Sequence, residues 1–407
     1  MSRSPAAITT KRPSFDERAA LRRVMELMAV PGPSGREREA VAWVRRELLA
    51  AGAKPGQFSV DAAGRKSPHL DGGGTSGNLV LKLPGTLRAP RRLLVAHIDT
   101  VPLCEGSKPV RRGRRIVPAD RATGLGADDR AGSSVILTAA LEILKRRLPH
   151  PPLTFLWTVQ EEVGLFGARF AALSALGEPK LAFSWDGSRP DRLVVGATGA
   201  YALDITVHGI ASHAGCHPEQ GASAAAIFAM ALADLRKNGW YGLVMKRGVR
   251  GTSNVGVLRG GEATNVVMDR LEIHAEARAH DPRLRRKIVA AYRLAFERAA
   301  RSVRTSAGKR GRVDFRTTPK YEAFKLKADE PCVLEAARAV RAAGLEPELE
   351  VATGGLDANW LTARGVPTVT LGTGGRDAHK AGESLVVGEH LAACRVALAL
   401  ATGGANT

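Results

Sequence analysis

Three apolar runs of this chain end on acids or an imidazole. Leu93-Leu-Val-Ala96 runs into His97-Ile-Asp99, Leu153–Val159 into Gln160-Glu161-Glu162, and Leu181–Trp185 into Asp186-Gly187. A further candidate is Asp128, in Gly126-Ala-Asp-Asp-Arg-Ala-Gly132, at the start of a helical pattern. Acids in a first helical turn are favoured by the helix dipole, and more so beside a cation. One imidazole with four or five carboxylates is a poor buried cluster by itself, because like charges raise one another's pKa at a cost of several kcal/mol. Divalent cations remove that problem. Mixed His, Asp and Glu ligands without thiolate suit catalytic zinc, manganese or cobalt better than structural zinc. Two such ions sharing a carboxylate and a water would generate hydroxide near neutral pH and polarise a carbonyl.

Taken singly, each motif has a plainer reading. His-x-Asp at a strand end is commonly a capped turn, Glu-Glu is usually surface charge, and Asp-Asp before a helix is most often an N-cap. Their joint appearance at successive strand ends changes the balance. In an open parallel sheet, ligands bind beyond the carboxyl ends of the strands. His97, Glu161, Glu162 and Asp186 are therefore expected on one rim, although they lie far apart in sequence.

The elements that would position them follow from periodicity. Helical patterns cover Phe15–Met28, with Leu21, Met25 and Met28 on one face, then Glu37–Ala51, Arg130–Leu148 and Glu330–Ala343. Asn78–Leu83, Arg92–Ala96, Leu153–Val159, Leu181–Trp185, Leu349–Val351 and Thr368–Leu371 read as strands. Strands alternating with helices predict an α/β sheet, largely parallel. The glycine-rich Asp71–Gly77 precedes a strand and not a helix, so it reads as a turn and not a phosphate loop. Between residues 199 and 315 the order changes to strand, helix, strand, strand, helix, strand. That is a ferredoxin-like α+β unit (βαββαβ) inserted into the first. The expected domains are thus 1–198 with 316–407, and 199–315.

The chain has 407 residues, and its apolar fraction of 44% is normal for a globular core. No apolar run approaches the roughly 20 residues needed to span a bilayer. The first 15 or so residues read as a loose tail, with positive charge but no apolar signal core. Cys104, Cys216, Cys332 and Cys394 are scattered singly, which fits a reducing compartment, so a cytoplasmic protein is expected. Sixty basic against forty acidic residues give a net charge of +20. Such a balance raises the possibility of a polyanion partner. Apart from Arg111, Arg112, Arg114 and Arg115, however, the basic residues are spread along the chain, and aromatics are only 5%. That composition argues against a stacking platform for nucleic acid.

His97-x-Asp99-Thr-Val, Gly126-Ala-Asp128-Asp-Arg-Ala-Gly132, Glu161-Glu162-x-Gly164-x-x-Gly167-Ala and Ala211-Ser-His213-Ala-Gly215 together resemble the M20 metallopeptidase family. Within it they are most similar to the peptidase T-like (tripeptide aminopeptidase) branch, from about Leu21 to the C-terminus. The resemblance implies a dizinc-exopeptidase-like catalytic domain with an inserted lid that also serves dimerisation. It implies hydrolysis of an amide bond in short peptides with release of an N-terminal residue. His97 and Asp186 would each hold a different metal beside a bridging Asp128; Glu162 would join one metal and His379 the other. His379 lies outside the strand pattern and rests on the resemblance. Glu161 would be the general base, and Asp99 would orient His97 from behind. His213, Asn265 and Arg278 match lid positions that contact substrate oxygens, His213 often reaching the partner subunit's site. Arg130 stands where lysine is common, the stretch 111–123 is basic and irregular, and the segment 353–377 would line the substrate pocket. Competing readings are another M20 amidohydrolase (N-acyl amino acid deacylase or carboxypeptidase) and a basic polyanion-binding protein on the same fold.

Overall fold

A computed structural model describes residues 14–67 and 73–403. The expected tail at residues 1–13, and residues 71 and 72 of the expected Asp71–Gly77 turn, lie outside the described residues. The chain divides into two compact units. The first holds the residues up to Gly196, Lys325–Ala352 and those from Leu356; the second holds Ala197–Phe324 and Thr353–Gly355.

The first unit is α/β, built on a sheet whose centre is four parallel strands in the order Leu153–Thr158, Arg92–His97, Leu181–Gly187, Thr368–Gly372. Leu79–Leu83 and Phe58–Val60 extend one side antiparallel, and Arg192–Ala197 pairs antiparallel on the other. Leu153–Thr158, Arg92–His97 and Thr368–Gly372 are buried throughout, and the first two accordingly read as largely apolar runs and not as alternating ones. Helix Ala127–Arg146 packs on this sheet and is buried along most of its length. Gly132 permits that approach: a Cβ there would sit 2.4 Å from the Trp185 carbonyl oxygen.

Several elements differ from the sequence expectation. The first helix, Glu17–Ala29, buries Ala20, Val24, Leu27 and Met28, so its inward stripe is rotated from Leu21 and Met25, which are only partly buried. The stretch 111–123 is irregular only from residue 119. Pro109–Arg112 and Arg115–Pro118 form an antiparallel hairpin, which pairs onward through Ser384–Val386 to Gly375–Arg376. Val387–Thr402 is a helix with no counterpart in the pattern reading. It is apolar all round, so it carries no amphipathic period. Each of its fully buried leucines is worth about 1.5–3 kcal/mol.

The second unit is a five-stranded antiparallel sheet backed by helices Ala224–Lys237 and Pro282–Ser302. Its sheet order is Gly242–Lys246, Val249–Gly260, Arg270–Ala279, Gly199–His208, Arg312–Tyr321. The βαββαβ expectation is therefore one strand short. Gly242–Lys246 was hidden because it is an edge strand that buries only Val244 and leaves Leu243 and Met245 exposed. A two-residue turn at Arg247-Gly248 closes that hairpin, both residues at positive φ (51° and 76°) as this tight turn requires.

His390, buried in helix Val387–Thr402, makes a measurable consequence of this packing. Burial pushes its imidazole from the ordinary 6.5 down to about 4. The folded state therefore holds it neutral, and the stability this confers is complete above pH 6.5 and lost as the pH falls towards 4. Denaturant unfolding of metal-stripped wild type and His390→Leu should show the wild type losing about 2–3 kcal/mol more between pH 7 and 4.5. Parallel stability curves would show that His390 carries no such linkage.

Candidate metal centre

The carboxyl ends of all four central parallel strands deliver polar residues to one place. His97 ends its own strand; Glu161 and Glu162 follow Thr158 after Val159 and a left-handed residue, Gln160 (φ 56°); and Asp186 lies in the third strand. The fourth strand, Thr368–Gly372, lies parallel beside Leu181–Gly187, and the loop that follows it carries His379, also left-handed (φ 62°). His379 thus belongs to the same strand-end scheme from which the sequence reading had left it out. Two non-glycine residues held at positive φ cost about 1–2 kcal/mol each. Such strain is kept where a site needs a particular aim.

The ligand-type atoms group around Asp128. His97 Nε2 lies 3.1 Å from Asp128 Oδ1 and 3.9 Å from Asp186 Oδ1. His379 Nε2 lies 3.4 Å from Asp128 Oδ2 and 2.8 Å from Glu162 Oε2. Ligand atoms of His97, Asp128 and Glu162 lie within 4.8 Å of one another. Asp128 therefore turns one oxygen to His97 and Asp186 and the other to Glu162 and His379. This differs from the expectation that set His97 and Asp186 on different ions.

Asp99 does more than stand behind His97. His97 Nδ1 is 3.2 Å from the Asp99 main-chain oxygen and 3.5 Å from Oδ1. The carboxylate itself accepts the N–H groups of Glu161 (3.0 Å) and Glu162 (3.2 Å) and the Ser34 hydroxyl (2.6 Å). It fixes the turn that presents both glutamates. Arg130 is buried and donates to the carbonyls of Leu27 (3.1 Å) and Gly32 (3.3 Å). A lysine could not fork between two carbonyls with the same planar geometry.

The electrostatics are those of a cluster short of positive charge. Burial, then the charge of Asp128, raises Asp186 well above the usual carboxylate range. Burial, then the carboxylates of Asp186, Asp357 and Glu162 against the pull of His97, raises Glu161 well above it too. Burial raises Glu162 despite its hydrogen bond to His379. Asp128 goes the other way: burial would raise it, but His379 and His97 together hold it below its usual range. Hydrogen bonds to Asp128 and Glu162 push His379 up to about 10. Raised carboxylates beside raised imidazoles mark a place where a positive charge would be favoured. The donor set, two imidazoles and carboxylate oxygens around one shared carboxylate, fits divalent ions of the zinc or manganese type.

Some of the polar neighbourhood had no sequence signal. Glu383 is buried and accepts three main-chain N–H groups of the turn that carries Asp128. Asp357 is buried beneath Thr158, whose hydroxyl donates to it, and burial pushes it up to about 6. Glu37 is buried, and burial plus the charge of Asp99 pushes it up to about 7. None of the three belongs to a motif that the sequence analysis singles out.

A cavity of about 270 Å³ opens against Asp128 and Asp186 and is lined further by Ser188, Thr373, Arg376 and Asp377. Of the segment expected to line the pocket, Thr373, Gly375, Arg376 and Asp377 do so. Arg376 is not available as a bare cation there, because it makes a two-point ion pair with Glu389 (2.8 and 2.7 Å).

Within the second unit, His213 and Asn265 come together. His213 pairs with Val266 in an isolated bridge, and Ala214 N–H donates to the Asn265 carbonyl (2.8 Å). His213 Nδ1 accepts from the N–H groups of Gly215 (3.2 Å) and Cys216 (3.1 Å), which leaves the proton on Nε2. Arg278 is elsewhere. The 209–217 loop follows His208, which pairs with Arg270, while Arg278 pairs with Ala200 at the far end of the same strand. It makes a two-point ion pair with Glu276 (2.8 and 2.9 Å).

The chain is similar to a protein family and to solved structures. The family model for Peptidase family M20/M25/M40 matches residues 93–402. A tripeptidase from Staphylococcus aureus superposes with a TM-score of 0.84 at 28% identity, covering 97% of this chain and 100% of that one. The aminopeptidase PepT from Bacillus cereus gives 0.78 at 28% identity, covering 95% and 98%. The uncharacterised protein YqjE of Bacillus subtilis is 29% identical over 386 residues, 95% of this chain and 98% of its own. Among the described residues no helix is long and apolar enough to cross a membrane.

Metal removal tests the charge argument. Protein stripped with a chelator should gain about 3–4 kcal/mol of stability on adding zinc at 100 to 1,000 times its dissociation constant. Asp128→Asn should lose most of that gain. An unfolding midpoint indifferent to zinc would contradict the assignment.

Proposed function

This chain belongs to peptidase family M20/M25/M40 and is a hydrolase, and from that premise we propose that it releases the N-terminal residue from di- and tripeptides. The observation that carries the reading is the split of ligand-type side chains about the two oxygens of Asp128, with Glu161 beside them. His97, Asp186 and Asp128 Oδ1 would hold one divalent ion, and Glu162, His379 and Asp128 Oδ2 a second, zinc being the ion we favour. Bound there, the ions would acidify a water and polarise the amide carbonyl.

The chain's own groups then divide the work. Glu162 is committed to His379, whereas Glu161 feels His97 only through space, and its raised pKa suits a group that takes and returns a proton. Glu161 accepts the water proton as the oxygen bonds to the carbonyl carbon. It passes that proton to the leaving nitrogen as the C–N bond breaks. Asp99 keeps Glu161 and Glu162 in place by their main-chain N–H groups. The cavity, about 270 Å³, is at or below the small end of ligand pockets, which supports a short substrate.

His213 Nε2–H is a donor suited to a developing oxyanion. His213 and Asn265 neighbour one end of strand Arg270–Ala279 and Arg278 lies near the other, eight residues or ~26 Å away. A tripeptide extends only ~10 Å. A single second unit therefore cannot present both sets to one substrate, and we assign His213 and Asn265 to the site of a partner copy in a homodimer.

Two experiments test this reading. Glu161→Gln should lower kcat by about 100- to 10,000-fold on a tripeptide while binding zinc like wild type. Unchanged turnover would remove Glu161 from the mechanism. His213→Ala and Glu161→Gln, each nearly inactive alone, should regain about a quarter of wild-type activity when mixed and re-associated, because half the dimers are hybrids with one intact site. No recovery would place His213 in its own chain's site or in none.

A further inference from the structure

Glu383 carries more than a turn closure requires. Its side chain is buried, with the residue 1% exposed. Oε2 accepts the N–H groups of Leu125 (2.8 Å) and Gly126 (2.7 Å), and Oε1 accepts that of Asp128 (3.0 Å). The Cys104 thiol approaches Oε2 at 3.7 Å, and no ion pair to Glu383 is formed among the described residues. A carboxylate buried on N–H donors alone is costly unless every oxygen is engaged. A neutral acceptor could close the same turn at lower cost.

Its position suggests what the cost serves. Glu383 lies four residues after His379, and its own N–H donates to Lys380 O (3.1 Å) in the same loop. The next residues, Ser384–Val386, are fixed in a sheet with Arg115–Pro118, and Leu385, Ile116 and Leu125 share one apolar cluster. One rigidly anchored side chain thus joins the loop that supplies His379 to the turn that supplies Asp128. Asp128 is the carboxylate common to both halves of the site. At Asp128 and Asp129 the helix has not yet begun: their φ/ψ values are −84°/106° and −121°/40°. The aim of Asp128 is therefore set by its turn and not by helical geometry.

We propose that Glu383 is a positioning residue for the metal pair. It holds the main chain at Asp128 so that the two carboxylate oxygens face their separate partners, and it couples that aim to the loop of His379. The proposal rests on the two-ion reading above.

The test uses the full-length protein stripped of metal. Zinc affinity is measured by competition with a chromophoric chelator for wild type, Glu383→Gln and Glu383→Asp, with unfolding midpoints of the stripped proteins and steady-state kinetics alongside. In Glu383→Gln, an amide oxygen placed on Leu125 and Gly126 sets an NH2 group against the Asp128 N–H. The opposite orientation forfeits the other two bonds. We expect zinc affinity to fall about 10- to 100-fold, as for other supports of metal ligands. kcat should fall with KM little changed, while the stripped protein's midpoint stays within a few degrees of wild type. Glu383→Asp keeps the charge but withdraws it by one methylene, and it carries the same expectation if Glu383→Gln folds poorly. Zinc affinity within twofold of wild type in a folded variant overturns the role, whatever the midpoint does. Fewer than two ions bound by wild type would instead overturn the two-ion reading, and this proposal with it.

Discussion

Excess negative charge at the carboxyl ends of the central strands is the constraint on which the rest of this structure depends. Asp128, Asp129, Glu161, Glu162, Asp186 and Asp357 interact with one another there, with His97 and His379 as imidazole partners. In an interior of low dielectric, each uncompensated charge costs several kcal/mol. Burial and mutual repulsion raise most of these carboxylates, and the surrounding acids raise both imidazoles. That arrangement is tolerable and not comfortable. Divalent cations held among these acids would relieve that repulsion.

The scaffold holds these groups by their main chain as much as by their side chains. Four parallel strands point the same way, so their carboxyl ends bring residues more than two hundred positions apart to one rim. Two buried carboxylates then fix the turns: Asp99 receives the N–H groups of Glu161 and Glu162, and Glu383 those of Leu125, Gly126 and Asp128. Each removes freedom from a segment that supplies ligands. Left-handed Gln160 and His379 complete the aim at a local backbone cost that the buried sheet outweighs.

Much of this was legible in the residues. The ends of the runs at His97, Glu161 and Asp186 foretold a shared rim, because a continuous apolar run of strand length implies a strand buried on both faces. The motif set foretold the family. What escaped did so for physical reasons. Thr368–Leu371 is legible as a strand, but His379 lies seven residues past the strand's end at Gly372, along a path no periodicity reveals. Helix Val387–Thr402 is apolar on every side, so it has no face to detect. Gly242–Lys246 is an edge strand with one buried side chain. Glu383 and Asp357 are single acids whose meaning comes only from the main-chain N–H groups or hydroxyl that folding brings to them. The basic hairpin 109–118 looked irregular because its arginines point to solvent and mask the alternation beneath.

The central claim is that one carboxylate, Asp128, divides this site between two cations. Anomalous diffraction from crystals of the zinc-loaded protein tests it most directly. Two peaks per chain are expected, one between His97, Asp186 and Asp128 Oδ1, the other between Glu162, His379 and Asp128 Oδ2. A single peak, or ions that leave Asp128 uncoordinated, would contradict it.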